Sequence, residues 1–233
     1  MNTYRTLSLG LLIAAASSSF AFIVNGSFET GTAYSGAPNI FSPGTPAPWV
    51  ATTFTPDMYD NAAVDGWGIG GIAAYNNMMS GVVAAHGHRF IGFAASAPMG
   101  FGESFGQNVS GLTVNNQYTV TASMITDPTT LGNVQFGGVY DGYGTIDAYF
   151  NNAYIGTFAQ NTLSKTWQTR SFTFTASATS GFLEFRAMAD MSTPVLRSSY
   201  MGLDNLQTVP EPFTMVTLGL GLASLIRRRS RRT

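Results

Sequence analysis

The chain contains no cysteine, which excludes a disulfide framework, a thiol nucleophile and any cysteine metal site. Histidine is almost as scarce. His86 and His88 are the only two, too few for a zinc centre that wants three or four ligands. Charged residues make up only 10% of the chain, and the formal net charge is −1. Those charges are unevenly placed, because Arg227, Arg228, Arg229, Arg231 and Arg232 crowd one end and Arg5 lies at the other. Residues 22–208 therefore keep five basic side chains against eleven acidic ones, a balance of −6. A nucleic-acid surface needs a basic patch, so nucleic acid is excluded as a partner. Strongly anionic polymers would need a bridging cation. No Gly-x-Ser-x-Gly elbow is present for a serine nucleophile. Gly66-Trp67-Gly68-Ile69-Gly70-Gly71 lacks the strand-to-helix context of a phosphate loop. Asp57, Asp60 and Asp65 lack the spacing of a helical calcium loop and read as a solvated acidic loop.

What is abundant is glycine, 26 residues, with many Thr, Ser, Asn and aromatic side chains. That mixture suits strands and tight turns, and no long amphipathic helix pattern interrupts it. Ile23-Val24 reads as a short strand and Asn25-Gly26 as a turn, after which Phe28 re-enters the core. Strands follow over Trp49–Phe54, Phe90–Phe93, Glu103–Val109 and Tyr118–Ile125. In the last of these Tyr118, Val120, Ala122 and Met124 share one face. Asn151-Asn152 is a two-residue hairpin turn between Thr145–Phe150 and Ala153–Phe158. Trp167–Thr175, Gly181–Ala189 and Tyr200–Leu206 complete the set, with Leu183, Phe185 and Ala187 inward and Glu184 and Arg186 outward. Short strands at near-regular spacing predict an all-β sandwich over residues 22–208.

Both ends read as export signals. A charged start at Met1–Arg5, an apolar Leu7–Ala16 and the small residues of Ser19-Phe20-Ala21 describe a signal peptide over residues 1–21. Cleavage after Ala21 would make Phe22 the first residue, with signal peptidase and the Sec export machinery as partners. At the other end, residues 209–233 hold Pro210-Glu211-Pro212, fourteen uncharged residues from Phe213 to Ile226, and the arginine cluster. As a helix, 213–226 would span about 21 Å, short of the roughly 30 Å hydrocarbon core. The arginines would stay on the cytoplasmic side.

This tail resembles the PEP-CTERM sorting signal of certain Gram-negative bacteria. The resemblance implies processing by a membrane protease-transpeptidase, the exosortase, at the Pro210, Glu211, Pro212 motif. It further implies transient inner-membrane insertion through a short transmembrane helix, then display at the cell surface or in the extracellular matrix.

The body is similar to galactose-binding-like jelly-roll β-sandwich domains, a group that includes many carbohydrate-binding modules. The likeness rests on Asn25-Gly26-Ser27-Phe28-Glu29 with Gly31, on Gln107-Asn108-Val109 before Tyr118-Thr119-Val120, on Trp167 with Phe172-Thr173-Phe174, and on Leu203-Asp204-Asn205-Leu206. It implies a structural Ca²⁺ held by Glu29 and Asp204, one ion tying first strand to last; the alternative is that both acids only hydrogen-bond or face water. It also implies binding or organising of polysaccharide, in which sugar C–H faces stack on aromatic rings. Tyr59, Trp67, Tyr75, Tyr140 and Tyr143 are the candidate platforms, being aromatics the core alternation does not require. The alternative is a structural or adhesive surface protein without a discrete ligand. A glycan hydrolase needs two carboxylates flanking a cleft, and no spacing singles out such a pair, so the expectation is no enzyme activity.

Overall fold

The computed structural model describes residues 22–31, 46–61, 79, 82–97, 100–126, 134–135, 138–140, 144–159, 164–189 and 197–211. Among these the chain forms strands and no helix. In chain order the first seven are β1 (Val50–Thr53), β2 (Asp57–Asp60), β3 (Arg89–Ser96), β4 (Phe101–Gly102), β5 (Ser104–Ser110), β6 (Gln117–Thr126) and β7 (Val134–Gln135). The rest are β8 (Gly138–Tyr140), β9 (Gly144–Phe150), β10 (Ala153–Phe158), β11 (Ser164–Thr175), β12 (Ser180–Ala189) and β13 (Arg197–Pro210).

Two sheets face each other. One runs β1-β5-β12-β9-β10, and the other runs β11-β6-β13-β3-β2, with β4 added to β3 and β8 to β13. Side chains alternate across each strand, so one period-2 set fills the space between the sheets. From β9 come Ile146, Ala148 and Phe150, from β12 Leu183, Phe185 and Ala187, and from β6 Tyr118, Val120, Ala122 and Met124, all buried. An aromatic cluster centres on Phe105, whose ring lies 5.3 Å from both Trp49 and Phe93. Burying each such ring is worth about 1.5–3 kcal/mol. Trp49 would bury a polar N–H, but it donates to the Asn25 carbonyl at 2.8 Å. The β9–β10 turn is as expected: Asn151 and Asn152 both adopt positive φ, 51° and 64°, as a type I′ hairpin demands.

Three expectations need correction. Ile23-Val24 is bend rather than strand. A side-chain amide takes the place of a neighbouring strand there, since Gln107 accepts from the Val24 N–H at 3.2 Å and donates to its carbonyl at 3.0 Å. Asp57 and Asp60 lie in β2, paired with β3, rather than in a solvated loop. Finally, β13 runs on past Leu206 to Pro210.

Every residue of β3 is buried, on both faces. A second hydrophobic cluster explains this: Tyr59, Phe90, Ala94, Ile125 and Tyr200, with Met79 and Val82, cover the outer side of that sheet. Trp167 joins them, its indole N–H donating to the Val83 carbonyl at 2.6 Å.

Candidate functional site

The two acids expected to share a cation do meet around one turn. Glu29 follows the Asn25–Phe28 turn, and its Oε1 accepts from the main-chain N–H groups of His88 (2.7 Å) and Arg89 (2.8 Å). Asp204, on β13, accepts from His86 N–H at 2.8 Å and Asn205 N–H at 2.6 Å. Gly87 stands between them at φ +71°, and a Cβ there would lie 2.4 Å from Glu29 Oε1. The positive φ disfavours any side chain at this position, and a Cβ would push the Glu29 carboxylate out of its place. Gly26 serves the same end of the fold. Its carbonyl accepts from Leu206 N–H at 2.8 Å, so the opening turn is stitched to the last strand.

Asp204 is fully buried. Burial pushes its carboxyl up to about 7; main-chain donors at His86, Asn205 and Ala85 oppose the rise, and the charge of Glu29 adds to it. An anion so placed is short of positive charge. Among the described residues no group of three or more His, Asp or Glu converges on a metal position. A hard cation between Glu29 and Asp204 would need carbonyl and water oxygens to complete its six to eight ligands. His86 and His88 are exposed in the turn that leads into β3.

The expected aromatic platforms fare differently. Tyr59 is a core residue, 1% exposed. Its ring stacks on Phe90 at 4.5 Å, and its hydroxyl pairs with that of Tyr200 at 2.8 Å. It has no surface to offer a ligand, because the second cluster closes over β2 and β3. Tyr140 lies on β8. Trp67, Tyr75 and Tyr143 lie outside the described residues, as do Ala21, Pro212 and the 213–226 segment.

An aromatic surface does exist elsewhere, on the outer face of the β1-β5-β12-β9-β10 sheet. Register places Gly106, Glu184, Tyr149 and Tyr154 in one row across four strands, and Ser104, Arg186, Asp147 and Thr157 in the next. Tyr154 is 58% exposed and meets Tyr149 edge to face at 5.9 Å. The Arg186 guanidinium lies 4.0 Å from the Tyr149 ring centre and donates to Glu184 at 2.7 Å. Glu184 also accepts from Thr52 at 2.6 Å, and Thr52 pairs with Ser104 at 2.6 Å. Burial opposes ionisation of Glu184, but hydrogen bonds from Arg186, Thr52 and Ser104 outweigh it and hold the carboxyl below its ordinary value. Beyond the tyrosines, Thr157 donates to Asp147 at 2.6 Å and pairs with the Tyr154 hydroxyl at 2.6 Å. Phe182 closes the far side, its ring 2.6 Å from where a Cβ on Gly106 would stand. These side chains hold one another in place before any ligand arrives, which lowers the entropy cost of binding.

Sequence reasoning passed over this face. The signal was available, because the alternation that turns Ile146, Ala148 and Phe150 inward turns Asp147 and Tyr149 outward.

No family model matches the chain, and no curated protein matches it in sequence. Solved structures do. A Stig cyclase, Fisc, from Fischerella sp. TAU, crystallised with (3Z)-3-(1-methyl-2-pyrrolidinylidene)-3H-indole, matches with a TM-score of 0.50. It is 16% identical, and the match covers 84% of this chain and 99% of the cyclase. What the two share is the fold. A carbohydrate-binding module, TmCBM61, in complex with beta-1,4-galactotriose, is 13% identical at a TM-score of 0.46, with 83% of this chain and 100% of the module covered. The module CBM6cm-2 from Cellvibrio mixtus lichenase 5A, in complex with cellotriose, is 16% identical at 0.37, with 55% and 82% covered. The body is an all-β, two-sheet sandwich, and fold alone does not choose a function.

Proposed function

We propose that this protein is exported, is sorted to the cell surface through its C-terminal tail, and binds polysaccharide on the outer face of the β1-β5-β12-β9-β10 sheet. The observation that carries the binding is the pair of adjoining rows in which Tyr149, Tyr154 and Glu184 stand beside Arg186, Asp147 and Thr157. A pyranose presents an apolar C–H face to one ring while its hydroxyls find carboxylate, hydroxyl and guanidinium partners alongside. Strands stand about 4.8 Å apart, so a row of four spans about 14 Å, room for two to three sugar units of a chain. The acidic body favours neutral glycans, or acidic ones bridged by a cation.

Sorting rests on the leader at 1–21 and on Pro210-Glu211-Pro212 with its apolar run and arginines. Exosortase is the processing partner, and the inner membrane is a temporary stop. Glu29 and Asp204 would hold Ca²⁺, the ion supplying the positive charge that the buried Asp204 lacks and joining the opening turn to the last strand. The jelly-roll, galactose-binding-like assignment belongs to this same reading.

Affinity electrophoresis of the purified protein through gels containing neutral polysaccharides tests the binding. Retardation by one of them, lost in Tyr154→Ala and Tyr149→Ala with melting temperature unchanged in the former, supports the site. Retardation that survives both substitutions places binding elsewhere.

A further inference from the structure

The last strand carries part of the sorting motif into the sheet. Past an irregularity between Asp204 and Gln207, β13 pairs with β6 again: Gln207 with Thr121, Thr208 with Val120, Val209 with Thr119 and Pro210 with Tyr118. Glu211 then donates its main-chain N–H to the Gln117 carbonyl at 3.1 Å, and its carboxylate accepts from the Thr119 hydroxyl. Thr119 is itself anchored, pairing with Thr173 at 3.0 Å. Thr208 is buried. Pro210 and Glu211 are therefore parts of the folded sandwich. The other end of the chain arrives at the same place. Phe22 packs edge-on against Tyr118 at 5.5 Å and against Phe174 at 6.2 Å. Both processing points converge on Gln117–Thr119, the first three residues of β6.

We infer that the sandwich masks its own sorting site, and that release of Gln207–Glu211 from β6 gates exosortase processing. This rests on the sorting reading proposed above. A protease acts on chain that has left its ladder, at a rate that follows the open population when reclosing is fast. Only Glu211 and Pro212 separate Pro210 from the apolar run at Phe213, a reach of about 10 Å even when extended. That tether is too short to carry the motif into a second active site while Pro210 stays paired. The register break makes the release local. Asn205 turns to positive φ, 51°, and the rungs from Met201 to Asp204 lie on its far side, so they need not open. Proline donates nothing to its rung, so beyond the Val209 rung the two Glu211 contacts are what close this end of the ladder. The sandwich itself thus times its release from the membrane.

The test follows processing of the full chain in a host that carries an exosortase, by pulse-labelling and mass spectrometry of the surface form. Thr119→Ala removes one side-chain hold on Glu211 and should speed conversion about fivefold, the change expected from losing one hydrogen bond of roughly 1 kcal/mol. The converse variant joins Thr119→Cys to Val209→Cys across one rung, in a chain with no other cysteine. Opposed positions in an antiparallel pair lie within disulfide reach. That double variant should stall until a reductant is added, while each single variant is processed. Conversion at equal rates in the locked and single-cysteine chains overturns the gate, as does an unchanged rate in Thr119→Ala. A wild-type surface form that still yields peptides through Leu225-Ile226-Arg227 overturns the sorting reading and the gate with it.

Discussion

Two buried acids make stability depend on pH, with a sign opposite to that of paired surface carboxylates. Asp57 accepts from the Tyr200 hydroxyl at 2.5 Å, and that hydroxyl pairs with Tyr59. Glu103 accepts from Ala94 N–H at 2.7 Å. Burial pushes Asp57 up to about 7, opposed by the Tyr200 hydrogen bond. Glu103 rises to about 8, chiefly through burial and then through the charge of Asp57, with main-chain donors at Ala94 and Thr55 opposing. A folded value above the unfolded one means that stability is fully present below about pH 4 and is lost as pH climbs through 7 to 8. At about 1.4 kcal/mol per decade, Asp57 costs about 3 kcal/mol between pH 5 and 7, and Glu103 about 4 kcal/mol between pH 5 and 8. The two overlap, because part of the Glu103 rise is the Asp57 charge. Asp204, also raised to about 7, adds a loss of the same sign. Asp57→Asn keeps an acceptor for Tyr200 and removes the charge, so it isolates one contribution. Urea titration from pH 5 to 9 should show wild type losing several kcal/mol, and the variant losing about 3 kcal/mol less. Near pH 9 the variant should be the more stable of the two. A flat wild-type profile, or a variant slope equal to wild type, refutes the reasoning.

Other outcomes follow from the same contacts. Added Ca²⁺ should raise the melting temperature, by an amount equivalent to about 2.7 kcal/mol at a hundredfold excess over the dissociation constant, and Glu29→Ala should abolish the rise; no shift in differential scanning calorimetry would remove the cation. Phe105→Ala should cost about 3–5 kcal/mol in denaturant unfolding, because its ring packs against Phe28, Trp49, Phe93 and Phe185 and its loss opens a cavity among them. Tyr154→Ala, on an exposed ring, should change stability by less than about 0.5 kcal/mol. Gly87→Ala should lose the Glu29 contacts and destabilise measurably, since it meets both a positive φ and a carboxylate at 2.4 Å.

Local chemistry fixed much of the architecture. Period-2 alternation along Tyr118–Met124 and Leu183–Ala187 determined which side chains face inward, because a pleated strand has no other way to sort its two faces. Asn151-Asn152 determined a hairpin, since few residue pairs accept two positive φ values. Glu29 and Asp204 were legible as a pair only through resemblance; their meeting across the His86–His88 turn is a fact of folding.

Where sequence fell short, the missing quantity was always a long-range contact. Tyr59 carries nothing local that says it is buried. Cluster members from β3, β6 and β13 close over it, 31 to 141 residues away in the chain. Tyr149 and Tyr154 looked unremarkable until cross-strand register set Arg186 and Glu184 beside them. The tail shows the division most clearly. The address we propose for it draws only on its apolar run and arginines, because partitioning depends on composition. Whether the motif can be reached depends on what pairs with it, and only the tertiary structure seats Glu211 on Gln117 and Thr119.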